Sequence, residues 1–172
     1  LEAFGKIDIL VNNAGMATAE FFTKITEDQW DQVLDTHIKG AFHCTRAVLG
    51  TMTKHKSGRI INVTSPAGIV GAFRLAAYAT AKAGVVGLMK SLSQEAGGPD
   101  TTVNCISTGW MEWTEGRGPD EIGQNLLMRF LPMRRFGKRS EIGGLAVLLS
   151  SGASGYINGQ TMHVDGGAMM HL

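Results

Sequence analysis

The chain has 172 residues, a length that suits one domain with a substantial core, and it is 44% hydrophobic with 23 glycines, so tight turns are expected to be frequent. Lys plus Arg number 16 against 15 for Asp plus Glu, and the resulting net charge of +1 excludes bulk attraction to nucleic acid or to an acidic membrane. Cys44 and Cys105 show neither CxxC nor Cys/His spacing, which argues against a disulfide framework or a zinc site and fits a reducing cytoplasm; no apolar run approaches the roughly 18 residues needed to span a membrane.

The opening Leu1-Glu-Ala-Phe-Gly5 reads as the end of a glycine-capped helix. Ile7-Asp-Ile-Leu-Val-Asn12 is a nearly continuous apolar run closed by Asn13-Ala-Gly15, which predicts a strand buried on both faces followed by a turn. From Thr26, with Glu27 and Asp28 in the first turn, a single long helix is predicted to about His55. Arg59–Ser65 reads as the second strand, Gly68–Arg74 as a loop, Leu75 to about Ala96 as a second long helix, and Thr101–Ser107 as the third strand. Helices over Asp120–Phe130 and Ser140–Leu149 and a last strand over Gly159–Asp165 complete the pattern. Strands alternating with helices predict an α/β fold, a Rossmann-like parallel sheet with helices on both faces.

Ligands of such sheets bind beyond the carboxyl ends of the strands. That rule gathers Asn12–Gly15, Ser65 and Thr108-Gly109 around one crevice, and Tyr78, one turn into the helix after the second strand, can return to Ser65. Tyr78 and Lys82 stand four residues apart, on one helix face. A lysine charge there is expected to lower the phenol pKa and fit it for proton exchange with an alcohol or a carbonyl.

Asn12-Asn-Ala-Gly15, Ser65 thirteen residues before Tyr78, Tyr78-x-x-x-Lys82 with Ala83-Gly84, and the closing Tyr156–Gly167 stretch together resemble the short-chain dehydrogenase/reductase family, over essentially the whole chain. The nearest flavour is that of 3-oxoacyl-carrier-protein reductases. The resemblance implies an oxidoreductase transferring hydride between NAD or NADP and a secondary alcohol or ketone, 3-oxoacyl-type substrates among them. It implies that Tyr78 is the general acid, that Lys82 tunes it and holds the nicotinamide ribose, and that Ser65 holds the substrate oxygen. Asn12, Ala14, Gly15, Gly109 and Met111 would line the cofactor. It also implies a homodimer or homotetramer assembled through the long helices.

Several positions depart from the family pattern. His37, in Thr36-His-Ile-Lys-Gly40, stands where the family has an asparagine that holds a water in a proton relay; histidine can serve a relay or block the water. Thr108-Gly109 replaces Pro-Gly, and the expected carboxamide-binding threonine has Trp113 in its place and Thr114 one residue later. No G-x-x-x-G-x-G precedes Asn12, so residues 1–172 read as one domain, the C-terminal part of a longer enzyme that lacks the first βαβαβ half, with its first strand left as an apolar edge. The alternative is a non-catalytic relative that serves self-association. Trp110, Trp113, Leu126, Leu127 and Phe130 are candidates for an apolar substrate wall, and the Arg129, Arg134, Arg135, Lys138, Arg139 cluster is expected to be paired at the surface.

Overall fold

The computed structural model describes residues 2–96, 98–112 and 120–170. Four strands, β1 (Ile9–Asn12), β2 (Ser57–Thr64), β3 (Asp100–Thr108) and β4 (Thr161–Val164), form one sheet in the order β1-β2-β3-β4, and every neighbouring pair is parallel. Parallel neighbours require crossovers, and helices supply them. α1 (Glu27–Leu34) and α2 (Gly40–His55) lie between β1 and β2, and a short α3 (Ala67–Val70) and the long α4 (Ala76–Glu95) lie between β2 and β3. α5 (Glu121–Phe130) and α6 (Ser140–Ser150) precede β4.

Alternation along the central strands divides the core into two layers. Ile60, Val103 and Cys105 meet Val48 and Met52 of α2 and Val85 and Met89 of α4 on one face. Ile61 and Ile106 meet Leu149 of α6, with Ile142, Leu145 and Met162 around them, on the other. A third cluster of Val33, Ala77 and Ala81 holds α1 against the start of α4, where the crevice lies. The small alanines let those two helices approach closely.

Several expectations are corrected here. β1 is the apolar edge expected, with β2 on one side only, but it is not buried on both faces: Ile9 and Val11 remain 45% and 47% exposed. The predicted single helix over 26–55 is also broken, because a π-helical turn at Asp35–Lys39 separates α1 from α2. Within that turn the Thr36 hydroxyl donates to the Gln32 carbonyl at 2.7 Å, a local bond that competes with the regular helical ladder. α1 itself starts as predicted: Thr26 and Gln29 cap each other's backbone in a capping box. The opening residues form a turn closed by Gly5 at φ +72° rather than a helix end, and α3 takes up the first residues of the predicted loop at 68–74.

Ile60 is 1% exposed and packed between α2 and α4. Replacing it with alanine is expected to cost about 2–5 kcal/mol, read as a lower urea midpoint at unchanged slope.

Candidate active site

β2 ends at Thr64, and the next residue, Ser65, starts the turn into α3. Tyr78 faces Ser65 from across that turn, near enough for the Ser65 hydroxyl to favour the ionised phenol. The Ser65 Oγ also accepts from the Ala67 amide at 3.2 Å, which fixes its rotamer at the head of α3. Lys82, one turn further along α4, is 4% exposed; its Nζ donates to the Val63 carbonyl at 2.8 Å and lies 5.4 Å from the centre of the Tyr78 ring. Ser65, Tyr78 and Lys82 thus meet at the carboxyl end of β2, as the sequence predicts.

The electrostatics differ from the prediction. Burial pushes the Tyr78 phenol above its ordinary value, with the Ser65 hydroxyl pulling the other way, and the lysine contributes no resolved lowering. Lys82 lies against the ring with its donors turned toward the Val63 carbonyl, and burial lowers its own pKa to about 8. Its charge costs more to keep than a surface ammonium's, so it is poised to exchange a proton near neutral pH.

His37 sits inside the π turn, 4% exposed. Its Nε2 lies 2.8 Å from the Met16 carbonyl and 3.2 Å from the Met16 amide, and its ring meets the Tyr78 ring edge-on at 5.5 Å between centroids. Burial holds the imidazole below its usual pKa, opposed by the Met16 bond and assisted by the nearby Lys82 charge. The same ring explains Gly15: a Cβ there would stand 2.5 Å from His37 Cε1. Asn12 has its amide committed, donating to Asn62 Oδ1 at 2.8 Å and to Thr45 Oγ1 at 3.2 Å, which fastens β1 to β2 and α2. Asn12, Ala14 and His37 line a small cleft of about 130 Å³ beside α2.

Ser65 and Tyr78 open onto a much larger crevice of about 780 Å³, walled by Val70, Leu75, Trp110, Met111, Leu131 and Met169 among others. Gly109 and Met111 lie on its β3 side. A Cβ on Gly109 would fall 2.6 Å from Asp165 Cα, so glycine is needed where the β3 turn passes the end of β4. Phe130 and Trp110 belong to the wall, as expected; Leu126 is 51% exposed and, with Leu127, stands outside the crevice lining. Trp113 and Thr114 lie outside the described residues. Sequence reasoning missed Leu75, Val70 and Met169, whose contribution depends on how the ends of separate elements fold together. Of the basic cluster, Arg135 makes a two-pronged bond to Glu141, and Arg134 donates to the Arg129 carbonyl. Among the described residues no group of three His, Cys, Asp or Glu is arranged to hold a metal ion, and no helix is long and apolar enough to cross a membrane.

A family model described as enoyl-(acyl carrier protein) reductase matches residues 1–169. The chain belongs to the short-chain dehydrogenase/reductase family. Within it, the chain is 39% identical to a 3-oxoacyl-[acyl-carrier-protein] reductase of Synechocystis, covering 99% of this chain and 68% of that protein. It is 40% identical to the (2S)-[(R)-hydroxy(phenyl)methyl]succinyl-CoA dehydrogenase subunit BbsD of Thauera aromatica, covering 97% of this chain and 67% of the relative. A solved structure from Sinorhizobium meliloti 1021, provisionally assigned as a short-chain alcohol dehydrogenase, superposes with a TM-score of 0.92 at 36% identity, covering 98% of this chain and 68% of that one. The chain therefore spans about two thirds of the length of these family members, which are oxidoreductases, and shares its fold with the Sinorhizobium meliloti structure.

The lowered Lys82 and His37 pKa values have consequences of the same sign for stability. Both groups bind fewer protons folded than unfolded, so each makes stability rise with pH inside its own window. For Lys82 the window runs from about 8 to its ordinary 10.5; for His37 it lies below 6.5. Denaturant titrations of Lys82→Met should show a flatter rise between pH 8 and 10 than the parent chain, and those of His37→Gln a smaller loss on acidification below pH 6.5; parallel profiles would contradict the burial of these charges.

Proposed function

We propose that this chain carries the catalytic residues of an NAD(P)-dependent oxidoreductase that interconverts a secondary alcohol and a ketone, with 3-oxoacyl-type compounds within its substrate class. The observation that supports this most directly is that Ser65 and Tyr78 face one apolar crevice side by side, with the Lys82 ammonium against the phenol ring. That set fits the nicotinamide-ribose end of the cofactor: two hydroxyls and the close glycine turn at Gly109 line one opening, and a buried cation lies behind the Tyr78 ring. Lys82, Tyr78, Gly109 and Met111, with the backbone of Ala14 and Gly15, would hold that end; the Asn12 side chain supports the turn through Asn62 and Thr45.

NAD(P)H, when bound, supplies the hydride. In the reducing direction a ketone oxygen rests between Ser65 and Tyr78. The Ser65 hydroxyl donates to it and stabilises the negative charge that develops there. The Tyr78 phenol, kept protonated by its raised pKa, gives its proton to that oxygen and completes the alcohol. Lys82, with its pKa near 8 and its Nζ beside the Tyr78 ring, is the nearby group able to resupply that proton once it turns from the Val63 carbonyl. His37 serves in this account through the Met16 contact and the edge of the Tyr78 ring. Exposed apolar side chains on α2 and α6, Phe42, Val147 and Leu148, support assembly into a homodimer or homotetramer.

The deciding experiment is a fluorescence titration of the chain with NADH and NADPH, followed by a ketone panel. Saturable binding and turnover are expected, with Tyr78→Phe losing turnover by about 10³-fold or more while its unfolding curve is unchanged. A fully active Tyr78→Phe variant would sink the assigned proton donor, and no binding at millimolar cofactor would favour the self-association reading instead.

A further inference from the structure

The bonds that join the end of β2 to α4 are of two kinds. The Lys82 ammonium reaches the Val63 carbonyl at 2.8 Å, but through a flexible four-carbon stem that leaves the helix backbone free to slide. The Thr64 hydroxyl, in contrast, donates directly to the Lys82 backbone carbonyl at 2.9 Å, and Thr64 is 1% exposed. On the α1 side Ala77 and Ala81 present only methyl groups, while Val85 and Met89 anchor α4 to the sheet one to two turns further along. α3 also approaches the same turn of α4 backbone to backbone: a Cβ on Gly68 would stand 2.7 Å from Ala83 N and from the Lys82 carbonyl carbon.

Thr64 is therefore the buried side chain whose hydrogen bond ends on the α4 backbone at the turn that carries Lys82, and it is adjacent in sequence to Ser65. We propose that Thr64 is a positioning residue for the proton-transfer set: its bond to the Lys82 carbonyl sets the register of α4 on the end of β2 and so the approach of the Tyr78 phenol to Ser65. Thr64 touches neither substrate nor reacting atoms; it acts through the helix. Small errors in such placement are expensive, since a displacement of about 1 Å can cost about a hundredfold in rate. The proposal rests on the reading of Ser65 and Tyr78 as the proton-transfer pair.

Thr64→Val keeps the branched shape and removes the hydroxyl. The readout that needs neither cofactor nor turnover is tyrosinate absorbance, assigned by difference from Tyr78→Phe, because the only other tyrosine is Tyr156. Ser65 pulls the phenol pKa down, so its retreat should move the Tyr78 midpoint up by about half a pH unit or more. Thr64→Ser, which restores the donor, should return it. In turnover, Thr64→Val should lower kcat about tenfold with KM little changed, and it should add no further loss on a Ser65→Ala background, because the two act through one contact. A folded Thr64→Val protein with the parental Tyr78 titration overturns the proposal, as does a Thr64→Ser variant that fails to restore it. Should valine prevent folding, Thr64→Cys, with its weak donor, carries the same titration test. An active Tyr78→Phe enzyme would defeat the assigned proton donor and leave the titration result standing, so the two failures are separable.

Discussion

The Lys82 ammonium lies almost wholly out of water, with the Val63 carbonyl as its hydrogen-bond acceptor and the Tyr78 ring beside it. Removing such an ion from water costs several kcal/mol after relaxation, and one charge-assisted hydrogen bond offsets only about 1.5–3 kcal/mol of that. The remainder must come from the packing around it. Val85 and Met89, a turn or two further along α4, are buried against Ile60, Val103 and Cys105, and they anchor the helix that imposes the lysine's position. The core on this face of the sheet thus supports a strained electrostatic arrangement at its upper end, which is the usual direction of exchange between stability and activity.

This placement also explains why the phenol is shifted upward. A cation lowers a neighbouring pKa through its distance to the titrating oxygen, and here Nζ is directed past the ring to a carbonyl of β2. Desolvation of the phenol is then the larger effect. The Tyr78 hydroxyl therefore stays protonated at neutral pH.

Much of the fold was legible because Ile60, Ile61 and Val63 of β2 and Val103, Cys105 and Ile106 of β3 mark short strands, and α4 is rich in small, helix-favouring residues. The helix boundaries of α4, α5 and α6 fall within about two residues of their sequence signals. The place of β1 at the sheet edge was legible, but its burial on both faces was misread, because an apolar run does not show what covers each face. The π turn was invisible for a related reason: Asp35-Thr-His-Ile-Lys39 has ordinary helical composition, and its widening follows from the Thr36 hydroxyl bond and the seating of His37 on Gly15. Ser65, Tyr78 and Lys82 could be brought together from spacing alone. Thr64 could not, because a threonine near the end of a strand is commonplace and its bond is to a backbone carbonyl eighteen residues away.

The widened turn at Asp35–Lys39 has a rotational consequence. Each residue of a regular α-helix advances the side-chain direction by about 100°, so a local change of pitch resets the phase of everything that follows. Upstream, Val33 points at Ala77 and Ala81; downstream, Val48 and Met52 point at Ile60 and Val103 of the sheet. One chain segment therefore addresses a helix with its first half and a sheet with its second, and the phase change falls at the residue whose imidazole touches the phenol. The turn works as a rotary coupling between the two halves of the core, with the candidate active site mounted on its axis.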